Sequence, residues 1–260
     1  PMFVEFNGKK TQTSKDALIN VETGDIVGEV GRGYKGVTNN EVANVFSEAF
    51  QGVNTEVFDH LNGNTGRWAR DIIINDESYN ILVGNGDRCK TKITIFNGYT
   101  GKQAVGFNVS AYRLVCSNGL MGWKNELSVS IPHIKNGIIE TIWNRFNEKF
   151  EVLWEKSRVW DAWTDEEFTE NDFYTFIDTR DYLSDKMRER LKAYYPSIVN
   201  YYNEEENKWG AYNVLTAIAS HYTEARNGSH VFSNSYKRVE KLVNDFMGFV
   251  PAKEKGLSLQ

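Results

Sequence analysis

Two hydrophobic periods divide the chain. From residue 27 to about 130, apolar residues come in short runs punctuated by Gly and Asn, at 53–58, 68–74, 79–83, 90–96 and 105–109. That is the pattern of half-buried strands joined by turns. Within 90–96, alternation puts Lys90, Lys92, Thr94 and Phe96 on one side and Thr91, Ile93 and Ile95 on the other, so the cationic side can face outward. One helix interrupts the strands: Asn39 or Asn40 can cap 41–50, where Val42, Val45, Phe46, Ala49 and Phe50 share a face. After Pro132, Ile138, Ile142, Phe146, Phe150 and Trp154 recur every fourth residue, which predicts a helix of about twenty residues packed across the sheet.

Further helices are expected at 165–168 and within 178–195, with Pro196 as a stop and 204–206 as a linker. Two amphipathic segments close the chain, one through Trp209, Tyr212, Leu215, Ala219 and Tyr222, the other through Phe232, Tyr236, Val239, Val243 and Phe246. Strands first and helices second predict an α+β fold with an antiparallel β-rich N-terminal core, a long packing helix and a helical C-terminal part. The expected organisation is a β-rich core with helices over 2–158, an acidic helical insert over 159–207, and C-terminal helices over 208–260 that pack back on the core.

Composition narrows the class. With 260 residues, 40% hydrophobic and 13% aromatic, and only 4 Pro, the chain is a folded protein and not a disordered or collagen-like one. No apolar run approaches the ~18 residues of a membrane span, and the first residues lack the basic-then-apolar pattern of a signal peptide. A soluble, cytoplasmic protein with no membrane association is expected. Pro1 stands before Met2, and the natural start is expected at Met2. Cys89 and Cys116 are the only cysteines, and His60, His133, His221 and His230 are scattered, so no metal or other cofactor is expected.

The formal charge of −5 hides strong segmentation. Counting Lys plus Arg against Asp plus Glu, residues 1–87 carry 7 against 13, 88–125 carry 6 against 0, and 126–158 carry 5 against 5. Residues 159–207 then carry 5 against 13, and 208–260 carry 7 against 4. The acid-free window holds Arg88, Lys90, Lys92, Lys102, Arg113 and Lys124, interleaved with Phe96, Tyr99, Phe107, Tyr112 and Trp123. Cations that follow phosphates and rings that stack on bases make a single-stranded nucleic-acid surface from such a set. A plain strand region, with core aromatics and solvated lysines, has the same composition.

Catalytic and nucleotide motifs find no context. Gly31-Arg-Gly-Tyr-Lys-Gly36 matches G-x-G-x-x-G and has Glu56 further on, but the preceding strand is broken by Gly28 and Glu29 and the chain continues into hairpins. A turn with glycines at positive φ is the simpler expectation. Gly101-Lys102 lacks the remaining P-loop residues, and no G-x-S-x-G elbow occurs. The acids at 165–167 fit a solvated helix start.

Several ordered segments carry a resemblance. They are Val30-Gly-Arg-Gly-Tyr34, Asn39-Asn-Glu41, Gly66-Arg-Trp68, Asn97-Gly-Tyr-Thr-Gly-Lys102, Ala111-Tyr-Arg-Leu-Val-Cys-Ser-Asn-Gly-Leu120, Ile131-Pro-His133 and Lys208-Trp-Gly-Ala-Tyr-Asn-Val-Leu-Thr216. Together they resemble the phage/plasmid-like protein family of unknown function. That family usually has Ser-His-Asp-Gly where this chain has Gly98-Tyr99-Thr100-Gly101, which removes a His or Asp proton-transfer role here. The hairpin-plus-helix core is distantly similar to single-strand annealing recombinases.

The resemblance implies a non-enzymatic, oligomeric single-stranded DNA-binding protein, able to serve strand annealing in phage or plasmid recombination or replication. Arg88, Lys90, Lys92, Lys102, Arg113 and Lys124 would meet phosphates, with Tyr99, Tyr112 and Trp123 stacking on bases. The alternative is a non-catalytic phage protein that binds a host protein through its acidic helical region, where Trp154, Trp160 and Trp163 could form the surface.

Overall fold

The computed structural model describes residues 1–62, 66–84, 86–113, 118–120, 124–221 and 234–251. Two hairpins open the chain, β1 (Phe3–Phe6) with β2 (Lys9–Gln12), and β3 (Lys15–Ile19) with β4 (Ile26–Gly31). Helix α1 (Asn39–Ala49) follows, then β5 (Thr55–Asn62), β6 (Arg67–Ile74), β7 (Ile81–Val83), β8 (Asp87–Gly98), β9 (Val105–Arg113) and β10 (Asn118–Leu120). A short α2 (Lys124–Leu127) leads to β11 (Ser128–Ile131). Five helices follow among the described residues: α3 (Ile138–Ala162), α4 (Glu170–Asp178), α5 (Asp185–Tyr202), α6 (Lys208–His221) and α7 (Asn234–Met247). The fold is α+β.

Strands β5 to β11 form one antiparallel sheet in the order β10-β9-β8-β6-β5, with β11 beside β9 and β7 beside β8. Its two faces differ as the alternation of 90–96 predicts. On one face Cys89, Ile93 and Ile95 of β8 and Val105, Phe107, Val109 and Ala111 of β9 are wholly buried. The helices pack on this side: Phe46 of α1 and Phe146 of α3 meet Phe107 and each other edge to face, at centroid distances of 5.4 to 6.0 Å. One buried cluster runs from Val37 to Phe246, so the late helices share the core of the sheet.

Several local details depart from the sequence expectations. Thr38, not Asn39 or Asn40, caps α1: its side chain accepts from the Glu41 amide while Glu41 returns a bond to the Thr38 amide. Helix α3 is 25 residues long, and its face changes along the way. A four-residue step turns the helix about 40° too far, so Ile138, Ile142 and Phe146 are buried while Trp154 emerges, and Leu153, Ser157 and Trp160 take over the buried stripe.

Residues 165–167 are not helical. Glu167 forms a β-bridge with Asn207, the Glu166 carbonyl accepts from the Lys208 amide, and α4 starts only at the Thr169–Asp172 capping box. Nor does Pro196 end α5, which continues to Tyr202. The Lys192 carbonyl, which proline leaves without its usual amide partner, lies 3.5 Å from Tyr174 Oη. The Gly31–Gly36 segment is a turn, closed by Tyr34 N–H donating to Gly31 O, yet none of its three glycines has positive φ.

Candidate nucleic-acid interface

The second face of the sheet is its polar side. Strand register arranges that face in rows running across the strands. Phe58, Asp71, Thr94, Asn108 and Ser128 form one row; His60, Ala69, Phe96, Gly106 and Ser130 the next; Glu56, Ile73, Lys92 and Ser110 a third. Lys90 stands directly opposite Tyr112 in a fourth, and Arg67 and Arg88 lie on the same side at the two ends. Lys90, Lys92, Thr94, Phe96, Asn108 and Tyr112 are all half-buried, and Arg88 and Phe58 are exposed. Side chains on this face carry four cations, Arg67, Arg88, Lys90 and Lys92, against two acids, Glu56 and Asp71.

A hydrogen-bonded network orders the middle of the face. Asp71 accepts from Lys92 Nζ at 2.8 Å and Thr94 Oγ1 at 2.5 Å, and its Oδ2 lies 3.1 Å from His60 Nε2. Burial alone would raise the Asp71 carboxyl, but the His60 bond, the Lys92 charge and the Thr94 hydroxyl outweigh it and hold the group well below the usual carboxylate range. Asn75 bridges the next pair, accepting from Lys90 Nζ at 2.5 Å and donating to Glu56 Oε1 at 3.0 Å. Arg88 and Glu77 are a loose surface pair at 3.7 Å.

The structure therefore brings Arg88, Lys90, Lys92 and Tyr112 together on one surface. It does not bring the other expected residues there. Arg113 is on the core side, buried, with Nε 2.5 Å from Asp87 Oδ2 and a second ion pair to Glu204. The acid-free window missed this because Asp87 lies one position before it and Glu204 is 91 residues away. Tyr99 follows the end of β8, where its hydroxyl accepts from the Asn39 amide at 2.8 Å. Burial and the neighbouring Glu41 raise its phenol despite that bond, so it stays neutral. Lys102 is exposed in the β8–β9 turn. Trp123 and the side chain of Lys124 lie outside the described residues, as does Cys116.

Phe58, His60, Arg67 and Asn108 are members of the face that sequence reading did not select. Only strand register reveals them, since each lies on a strand whose own composition is unremarkable. In the acidic half, Trp160 and Trp163 are buried against Tyr212, leaving Trp154 as the half-exposed one of the three tryptophans. No group of three His, Cys, Asp or Glu able to hold a metal occurs among the described residues, and none of their helices is long and apolar enough to cross a membrane.

The sequence matches the family described as a domain of unknown function, DUF932, over residues 27–243 of 260. The chain belongs to the DUF932 family. No curated protein and no solved structure matches it.

Within this DUF932 chain the segments singled out in the sequence converge on two nodes. At the first, Tyr34 stacks on His133 with centroids 4.7 Å apart and donates to Gly98 O at 3.2 Å, while Asn97 Nδ2 donates to Val37 O and Asn39 Oδ1. Gly28 admits the β3–β4 hairpin here, because a Cβ would lie 2.7 Å from Tyr99 O. At the second node Arg113 meets Trp209: the guanidinium is 5.8 Å from the indole centroid, and Trp209 Nε1 donates to the same Asp87 Oδ2 at 2.9 Å. Burial raises the Glu204 carboxyl despite Arg113, with Asp87 and Glu205 adding to the effect.

These contacts floor an acidic cavity of about 670 Å³ rimmed by Asp161, Asp165 and Glu205. A smaller cavity of about 390 Å³ lies between α1 and α3, lined by Phe50, Tyr79, Trp143 and Phe146. Both nodes tie distant segments together, which accounts for these residue types in structural terms.

Proposed function

We propose that the protein is a non-catalytic binder of single-stranded DNA, which it holds across the polar face of the sheet. The observation that carries this reading is the direct opposition of Lys90 and Tyr112 on the side away from the α1–α3 core, continued by Lys92, Phe96, Phe58 and Arg67. Antiparallel sheets with one solvated face, a few half-exposed rings and a surplus of cations suit unpaired bases: rings stack on bases whatever their identity, and cations follow the phosphates. Bases stacked on such a face would keep their edges accessible, as strand annealing requires. An accessory role in phage or plasmid recombination or replication, in the host cytoplasm, is the corresponding biological setting.

The test is a fluorescence-anisotropy titration with labelled single-stranded oligonucleotides over a range of salt. With four cations on the phosphates, log K should fall with log salt at a slope of about −3, from the ~−0.7 per contact of single strands. The double substitution Lys90→Glu and Tyr112→Ala should abolish binding with the fold intact by circular dichroism. Absence of binding at low ionic strength, or wild-type affinity in that variant, would overturn the proposal.

A further inference from the structure

The two sides of the sheet end unequally. On one side β9 is flanked by two short strands, β10 of 3 residues and β11 of 4. On the other, β5 runs for 8 residues in unbroken register with β6, and among the described residues it pairs with no other strand. A free edge presents a row of unpaired N–H and C=O groups that templates pairing with another chain, and proteins normally blunt it with charged side chains, above all lysine, or with proline, a bulge or shortness. Strand β5, Thr-Glu-Val-Phe-Asp-His-Leu-Asn, has no lysine, no proline and no register shift. Val57, Phe58 and Leu61 on it are 48%, 48% and 67% exposed. Asp59, which could otherwise repel a neighbour, is already held by Arg70 through two bonds of 2.8 and 2.9 Å and by Trp68 Nε1 at 3.0 Å.

We propose that β5 is an interface with a second copy of this chain, the two edges pairing antiparallel about a two-fold axis through Phe58. Directly opposite side chains in an antiparallel pair share a face. A two-fold perpendicular to the sheet therefore pairs each residue with one of the same parity and keeps both polar faces on one side. Centred on Phe58, the axis sets Phe58 against the partner's Phe58 and Glu56 against the partner's His60, an acid–imidazole pair formed twice. Centred on Asp59, it sets Phe58 against the partner's His60 and Glu56 against the partner's Asn62, with no acid–imidazole pair; centred on Val57, it sets Glu56 against the partner's Phe58. Charge complementarity selects the Phe58 register. The result is a single sheet continuous across both protomers, and it stands whether or not that sheet binds DNA.

Sedimentation velocity on the full chain should give a dimer, and Phe58→Lys, at an exposed position, should give a folded monomer. Register is read separately by cross-linking in a Cys116→Ser background, where the remaining Cys89 is buried. Phe58→Cys should form a disulfide-linked dimer under mild oxidation, while Val57→Cys, a diagonal ~7–8 Å from its own copy, should not. A wild-type monomer at every concentration, a Phe58→Lys variant that still dimerises, or cross-linking at 57 in preference to 58 would each overturn the proposal.

Discussion

Arg113 Nε lies 2.5 Å from Asp87 Oδ2, and the same carboxylate oxygen accepts the Trp209 indole N–H at 2.9 Å. The pair links the starts and ends of elements far apart in the chain, because Arg113 closes β9, Asp87 opens β8 and Trp209 stands near the N-terminus of α6. With Glu204 as second partner, the guanidinium is enclosed by two carboxylates and an indole. Its charge is spent inside the protein.

Removing Arg113 leaves two buried carboxylates without their cation. Arg113→Ala should lower stability by about 3–5 kcal/mol, the range for breaking a buried ion pair from one side. Lys90→Ala, on the half-exposed polar face, should change it by less than about 1 kcal/mol. Equilibrium urea unfolding of both variants measures the contrast, and equal losses would contradict the assignment of Arg113 to the interior.

Asp71 and Glu204 should give pH dependences of opposite sign. The Asp71 carboxyl is held low in the folded protein, so its contribution is present above the unfolded value of 3.8 and is lost as pH falls through the folded one. The Glu204 carboxyl is raised, so its contribution is largest at acid pH and is lost as pH rises from 4.5 through the folded value. Asp71→Asn should flatten the acid limb of a stability–pH curve, and Glu204→Gln should flatten the decline above 4.5. Thermal unfolding across the pH range, each variant subtracted from wild type, reads both signs.

Gly210 is required by a close approach. A Cβ there would lie 2.2 Å from the Glu205 carbonyl oxygen, whereas at Gly33 nothing lies within 4 Å. Gly210→Ala should displace the α5–α6 connection and destabilise the protein by more than about 2 kcal/mol, in the range of overpacking. Gly33→Ala should be near neutral. Comparing their urea midpoints decides the point.

Much of the architecture was legible in local pattern. Period-two alternation in β8 assigned Lys90, Lys92, Thr94 and Phe96 to one face, because successive side chains of a strand must point to opposite sides. The apolar stripes of α1 and α3 followed from helical spacing in the same way. Where a competing interaction acted over a few residues, the pattern misled: Thr38 outbid Asn39 for the cap, and the bridge to Asn207 held 165–167 out of a helix. The i, i+4 run of α3 placed Trp154 on a face that the 3.6-residue turn had already rotated away.

By itself, the sequence determined the α+β class, the alternating faces and an acid-free stretch of cations and rings. Only the tertiary structure decided which of those cations remain available. Charge along a chain is additive, but charge in space depends on who arrives beside it: Asp87 and Glu204 claim Arg113, Asp71 claims a share of Lys92, and Lys90 donates to the neutral Asn75. The position of β5 at the border of the sheet among the described residues was equally invisible, because whether a strand lies inside or at the border is set by the order in which strands pair, and local sequence does not encode that order.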